Sequence, residues 1–236
     1  MTSSSMGRPT TVENGIITMG SSGKAVSCTL KYTGTGETTD RIMDISFNSN
    51  AGHNIYANGT GLLKFTSTFV IHKSSGSTSG GITLRGSGDG EISAGLTGDN
   101  LPGRLDKDDA GTWTLGGTNT ANTVNVKNGR LIADGSLTGR TSITVSGGAL
   151  ELTSGTSLAD TTALTISSGE VQLNGEVQQK VDSLTLGSTT MDPGMYGSSA
   201  SSAANKDDTY FSGTGVLYVG VDIPSPAPSG TVITIK

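Results

Sequence analysis

The residues able to do chemistry fall into a few scattered groups. Carboxylates cluster at Asp106, Asp108 and Asp109, and again at Asp207 and Asp208. Cleavage of a polysaccharide would need such paired carboxylates, or a basic residue, in a groove. Arg104 and Lys107 flank the first cluster, however, and the run from Gly98 to Ala110 reads as a solvated lateral loop. A calcium ion would need oxygen ligands closing around it, and neither an EF-hand loop nor a G-G-x-G-x-D repeat is present. His53 and His72 are the only histidines, and two histidines without Cys or a nearby carboxylate pair make a poor metal site. Both are expected at the surface or on an edge. Gly86-Ser87-Gly88-Asp89-Gly90 lacks the Lys-Ser/Thr pair and following helix of a phosphate loop. Trp113, Tyr210, Phe211 and Tyr218 could stack on sugars, but Trp113 and Phe211 are expected to plug a thin core or cover an end. No catalytic, cofactor-binding or metal residue is assigned, and the expectation is a non-enzyme.

The elements around these residues repeat. Thr123-Val124-Asn125-Val126-Lys127-Asn128-Gly129-Arg130-Leu131 aligns with Ser142-Ile143-Thr144-Val145-Ser146-Gly147-Gly148-Ala149-Leu150. Ala163-Leu164-Thr165-Ile166-Ser167-Ser168-Gly169-Glu170-Val171 and then Ser183-Leu184-Thr185-Leu186 continue the frame. The step is about 20 residues, a solenoid period. Within each unit apolar and polar residues alternate, which puts Val124 and Val126, or Ile143 and Val145, on one face of a strand. Gly129, Gly148 and Gly169 share one slot, where a positive φ lets the chain bend into the next strand. One turn cannot bury its own apolar face, so neighbours share stability. The expected fold is all-β: a right-handed parallel β-helix, or β-solenoid, with roughly 20 residues per turn in the section 112–191. No helix is expected, because Gly and β-branched residues are dense and no apolar pattern of helical period is sustained.

Composition supports this. Only 32% of the 236 residues are hydrophobic and 4% aromatic, against 36 glycines, so a thick core cannot be filled. A net charge of −5, with Val, Ile and Thr placed in alternation, argues for an ordered chain. The acidic balance leaves no basic stripe for nucleic acid. The single Cys28 excludes an intrachain disulfide and is expected as a small buried hydrophobe. No apolar run is long enough to span a membrane as a helix.

The expected organisation is a flexible leader (1–11), one solenoid domain (12–220, closing segment 192–220), a Pro-rich linker (221–230) and a terminal strand (231–236). Solenoid ends are open sheet edges that demand a cap or a partner. Thr231, Val232, Ile233, Thr234 and Ile235 form an alternating strand beyond a stiff Pro-rich spacer. It could fold back on its own solenoid or add to another chain's edge. The partner expectation is therefore a homo-oligomer or filament built by end-to-end or strand-addition contacts, with a surface glycan as a further candidate.

Several segments resemble the autotransporter-associated β-strand repeat family, the passenger-type repeats of large bacterial surface proteins. Leu30-Lys31-Tyr32-Thr33-Gly34-Thr35-Gly36-Glu37-Thr38-Thr39-Asp40-Arg41 looks like the family's Y-x-G-x-G-x-T-x-D-R segment. Gly59-Thr60-Gly61-Leu62-Leu63-Lys64-Phe65 looks like its G-T-G-x-L-x-F strand, and Gly111-Thr112-Trp113-Thr114-Leu115-Gly116-Gly117-Thr118-Asn119-Thr120 is similar to its most recognisable motif. The resemblance runs from about Lys24 to Val219. It implies a right-handed β-helix, exported and exposed at the bacterial cell surface, with no catalytic residues to carry over. The family often continues into a membrane β-barrel or a sorting helix; this sequence ends after its Pro-rich tail, so a free or self-assembling protein is expected. The alternatives are a carbohydrate-binding or polysaccharide-degrading β-helix, by analogy of fold alone, and a stalk fragment of a giant surface protein.

Overall fold

A computed structural model describes residues 9–21, 25–47, 51–73, 80–97, 103–138 and 142–225. The chain winds through three strands per turn, and equivalent strands of successive turns pair in parallel into three long sheets. The first sheet begins with Ile17–Gly20 and runs through Met43–Phe47 and Phe69–Lys73 to Ser136–Thr138. The second begins with Thr29–Tyr32 and includes Gly52–Ala57, Gly81–Arg85, Arg104–Lys107, Thr123–Val126 and Ser183–Leu186. The third begins with Glu37–Thr39 and includes Gly90–Ile92, Thr112–Leu115 and Glu170–Leu173. The solenoid expected from the sequence is therefore the fold.

Register confirms the repeat residue by residue. Val124, Ile143, Leu164 and Leu184 stand above one another, with Val126, Val145, Ile166 and Leu186 in the neighbouring column. Following that column from Leu30 through Ile55, Leu84, Lys107 and Val126 to Leu186, the steps are 25, 29, 23, 19, 19, 21 and 20 residues. The tight period belongs to the later turns and the early turns carry longer corners. Gly129, Gly148 and Gly169 have φ of 66°, 69° and 111°, as their shared slot required. Inward residues form one continuous apolar cluster, in which burying each Leu, Ile or Val contributes about 1.5–3 kcal/mol.

Trp113 is fully buried in that core and donates its indole N–H to the Arg85 carbonyl (3.0 Å). Room for the ring comes from Gly90, its partner in the sheet, where a Cβ would lie 2.5 Å from the indole Cδ2. Phe211 is buried as well. Two expectations need correction. One short helix exists, Val12–Gly15, because Thr11 caps it by accepting from the Asn14 amide (3.3 Å). The stretch read as a lateral loop contains Arg104–Lys107, a strand paired on both sides.

Beyond the last regular turn the pattern changes. Thr189–Thr190 turns back antiparallel on Ser183–Leu186, and Gly194–Gly197 runs antiparallel to Val216–Val219. Gln179 is fully buried here; its side-chain amide accepts from the Leu158 N–H (3.0 Å) and donates to the Leu158 carbonyl (3.1 Å). A side chain thus supplies the pairing that a strand provides in earlier turns. No helix among the described residues is long and apolar enough to cross a membrane.

Candidate functional site

The first carboxylate cluster sits where the second sheet meets its corner to the third, and every member is engaged. Asp106 faces outward from Arg104–Lys107, yet it is only 1% exposed because neighbouring turns cover it. Arg104 and Lys127 reach its carboxylate at 2.8 and 2.7 Å, and Asn125, one turn on, donates to it at 2.7 Å. Asp108 accepts from Asn128 (2.9 Å) and pairs with Arg85 of the preceding turn (2.9 Å). The Asn128 hydrogen bond holds its carboxyl below the usual range, with help from the Asp109 amide and the Arg85 charge. Asp109, with φ 62°, accepts from the Gly86 amide (3.1 Å). The solvated-loop expectation fails here: these groups staple three consecutive turns to one another.

Lys107 was missed as a special position. It stands in the aliphatic column between Leu84 and Val126, fully buried. Its ammonium donates to three turn carbonyls, those of Asp108 (2.8 Å), Asp109 (2.7 Å) and Asn128 (3.0 Å), which uses all its donors. Burial pushes its pKa down to about 8, against the pull of the Asp109 and Asp108 carboxylates. The readable signal was a lysine in the alternation slot of Leu84. Farther along, Arg130 bridges Glu151 and, at 2.5 Å, Gln172, while Asn174 also donates to Glu151. These too are staples between turns.

His53 corrects the surface expectation for the histidines. It points inward, fully buried, with its ring 4.9 Å from that of Phe47. Its Nδ1 accepts from the Cys28 amide (3.1 Å), so its Nε2–H donates to the Ser46 carbonyl (3.1 Å). Burial lowers its pKa, with the Ser46 hydrogen bond acting in the opposite direction. His72 is on the surface beside Asp44 (3.2 Å), in a different sheet from His53, so the two do not stack. Cys28 is half-buried against the core. Among the described residues no group of His, Cys, Asp and Glu side chains is placed to hold a metal ion. Asp207 and Asp208 accept from the backbone amides of Thr209 (2.8 Å) and Ser199 (2.7 Å) and shape their own turn.

The two ends are the remaining candidates, and they differ. Among the described residues Ile17–Gly20, Thr29–Tyr32 and Glu37–Thr39, the strands of the first turn, are all edge strands. A cavity opens there between the second and third sheets, lined by Leu30, Tyr32, Thr39, Leu63 and Phe65. Ile16, Val26 and Leu62, the exposed large hydrophobics of the described residues, lie in or beside this turn. Leu62 is held next to it by the Glu37 N–H donating to its carbonyl (2.9 Å). At the other end Tyr196, buried in the core cluster, donates its hydroxyl to the Asp192 carbonyl (2.7 Å). The outer face of Val216–Val219 is covered by Ala203, Met195, Val221 and Ile223, and Asp222 pairs with Lys180. The strand Thr231, Val232, Ile233, Thr234, Ile235 lies outside the described residues.

Fold and side chains together define a parallel β-solenoid whose polar groups bind its own turns. No family model matches the chain, and no solved structure matches it. The chain is similar to part of one curated protein, the adhesin BmaC autotransporter of Brucella suis biovar 1 (strain 1330), with 36% identity over 129 residues. That match covers 52% of this chain and only 4% of the much longer adhesin.

Proposed function

We propose that this chain is a non-enzymatic β-solenoid that works outside a bacterial cell, at or near its surface, as an adhesive or structural element. The observation that carries the reading is its similarity to a stretch of an autotransporter adhesin, taken together with this chain's own parallel β-solenoid fold. The cluster at Asp106 and Asp108 supports it from the other side, since these carboxylates hold neighbouring turns together. Self-assembly through solenoid ends and the strand Thr231 to Ile235 belongs to the same reading. Heterologous contacts that do not close produce filaments.

Electron microscopy of the purified chain at high concentration tests this. Filaments are expected, and replacing both Ile233 and Ile235 by Asp should abolish them. Discrete monomers at every concentration would remove assembly from the reading. Turnover of an acidic polysaccharide, lost on Asp106→Asn, would overturn the non-enzymatic part.

A further inference from the structure

We propose that His53 is an acid-operated latch: when its ring takes up a proton, the segment 25–28 lifts from the solenoid while the later turns stay folded. The proposal is independent of the adhesive reading above.

The segment leads into Thr29–Tyr32, with Ala25, Val26 and Ser27 exposed and Cys28 half-buried. Three hydrogen bonds join it to the next turn. The Cys28 amide donates to His53 Nδ1 (3.1 Å), the Asn54 amide to the Cys28 carbonyl (2.9 Å), and the Gly52 amide to the Ser27 hydroxyl (3.3 Å). Of these, only the first depends on the protonation of a side chain. His53 Nδ1 accepts it with the lone pair that a proton would occupy, while Nε2–H donates to the Ser46 carbonyl (3.1 Å). In an imidazolium both ring nitrogens are donors. The Ser46 bond then gains from the charge. The Cys28 bond is lost, because two N–H groups face each other with no acceptor between them.

The ring itself is held in place. Gly20 lies against it so closely that a Cβ there would sit 2.7 Å from the imidazole Cε1, and the Phe47 ring is 4.9 Å away. Ile82 is its partner in the next turn of the sheet. The exposed segment is therefore the side that yields.

Charge around the ring does not oppose this. Four elements pack on it: Ile17–Gly20, the segment 25–28, Met43–Phe47 and Gly81–Arg85. The first brings Gly20, the third the Ser46 carbonyl and Phe47, and the fourth Ile82. The second brings Cys28, which precedes the partner of Asn54 and so stands opposite His53, its side chain packed against the core. Asp44 alternates with the buried Met43 and Ile45 and pairs with His72, and Arg85 turns to Asp108 and Asp109. Among the described residues of these elements, no carboxylate is placed to hold an imidazolium at this position. Burial accordingly lowers the pKa of His53 from 6.5. Once the segment lifts and water reaches the ring, the proton is bound more tightly, so acid drives the lifting. Each pH unit below 6.5 favours the lifted form by up to about tenfold, until the folded-state pKa is passed.

The full-length chain carries its own reporter, since Cys28 is the only cysteine. Its rate of labelling by a disulfide reagent, divided by that of the urea-unfolded chain at the same pH, measures lifting. From about pH 7.5 to about pH 5 this ratio should rise at least about tenfold in wild type. His53→Asn, whose side-chain carbonyl accepts the Cys28 N–H without titrating, should keep the ratio flat, and His72→Gln should behave as wild type. Nuclear magnetic resonance of the wild type needs no variant: protection of the Cys28 amide should fall as His53 Nδ1 takes its proton, while the Val126 and Val145 amides stay protected. An equal rise in His53→Asn would overturn the latch. So would a protonated Nδ1 with Cys28 still protected, or a His53 that stays neutral until the whole chain unfolds. Loss of protection at Val126 over the same window would mark global unfolding and overturn it too.

Discussion

The two ends of this solenoid solve the same problem in opposite ways. At the last turns the chain reverses direction: Thr189–Thr190 and Gly194–Gly197 pair antiparallel, Tyr196 plugs the core, and Val221 to Ile223 cover the outer face of the final strand. At the first turn the strands stay parallel and, among the described residues, lie at the sheet edges beside a cavity. An edge is a template for pairing unless it is covered. Antiparallel pairing thus closes one end of the described stack, whereas its other end shows parallel strands alone. The lesson is that turns sharing one parallel stack need not end alike, because strand pairing at the two limits of the described stack differs.

The largest expected effect breaks the closed end. Leu217→Ala removes a fully buried side chain beneath the final sheet and should lower unfolding free energy by about 3 kcal/mol, read from urea denaturation. The matching change at the open end, Leu30→Ala, should cost only about 1 kcal/mol, because Leu30 is half-exposed. Equal costs would erase the contrast. Between these, Lys107→Met should destabilise by about 2 kcal/mol, since it strips three turn carbonyls of their donor.

A smaller effect should appear with pH, near the open end. His53 is held neutral, its pKa lowered in the fold from 6.5. As pH falls below 6.5 the unfolded chain takes up this proton first, so stability drops until the folded-state pKa is passed and is unchanged by this group above 6.5. Thermal melts of wild type and His53→Gln should diverge in their pH slopes over that window. The smallest effect is Lys180→Ala, which should leave the melting temperature nearly unchanged while speeding amide exchange around Asp222, its partner at the closed end.

The later turns were legible from sequence because their interior is aliphatic and their corners are short. Val124, Ile143, Leu164 and Leu184 could be aligned by eye, and Gly129, Gly148 and Gly169 marked the bends. The earlier turns hid for physical reasons. Corners of varying length stretch the step to 29 residues, so no fixed period survives. Their interior also admits polar groups: His53 and Lys107 occupy inward slots, satisfied by backbone atoms that only the folded chain brings near. Arg104–Lys107 looked like a loop because its charges are paired across turns about 20 residues apart, beyond the reach of local pattern. The antiparallel closure was not legible either, since 192–220 read only as a closing segment of the solenoid, with no strand direction assigned. The open edge was anticipated in kind, as a solenoid end, but not in place.

Amide exchange followed by mass spectrometry, on the full-length Ile233→Asp/Ile235→Asp chain, tests the difference between the ends most directly. Protection should rise along the stack, with Thr29–Tyr32 exchanging well before Ser183–Leu186 and Val216–Val219. Protection at Thr29–Tyr32 equal to that of Val216–Val219 would contradict an open first turn.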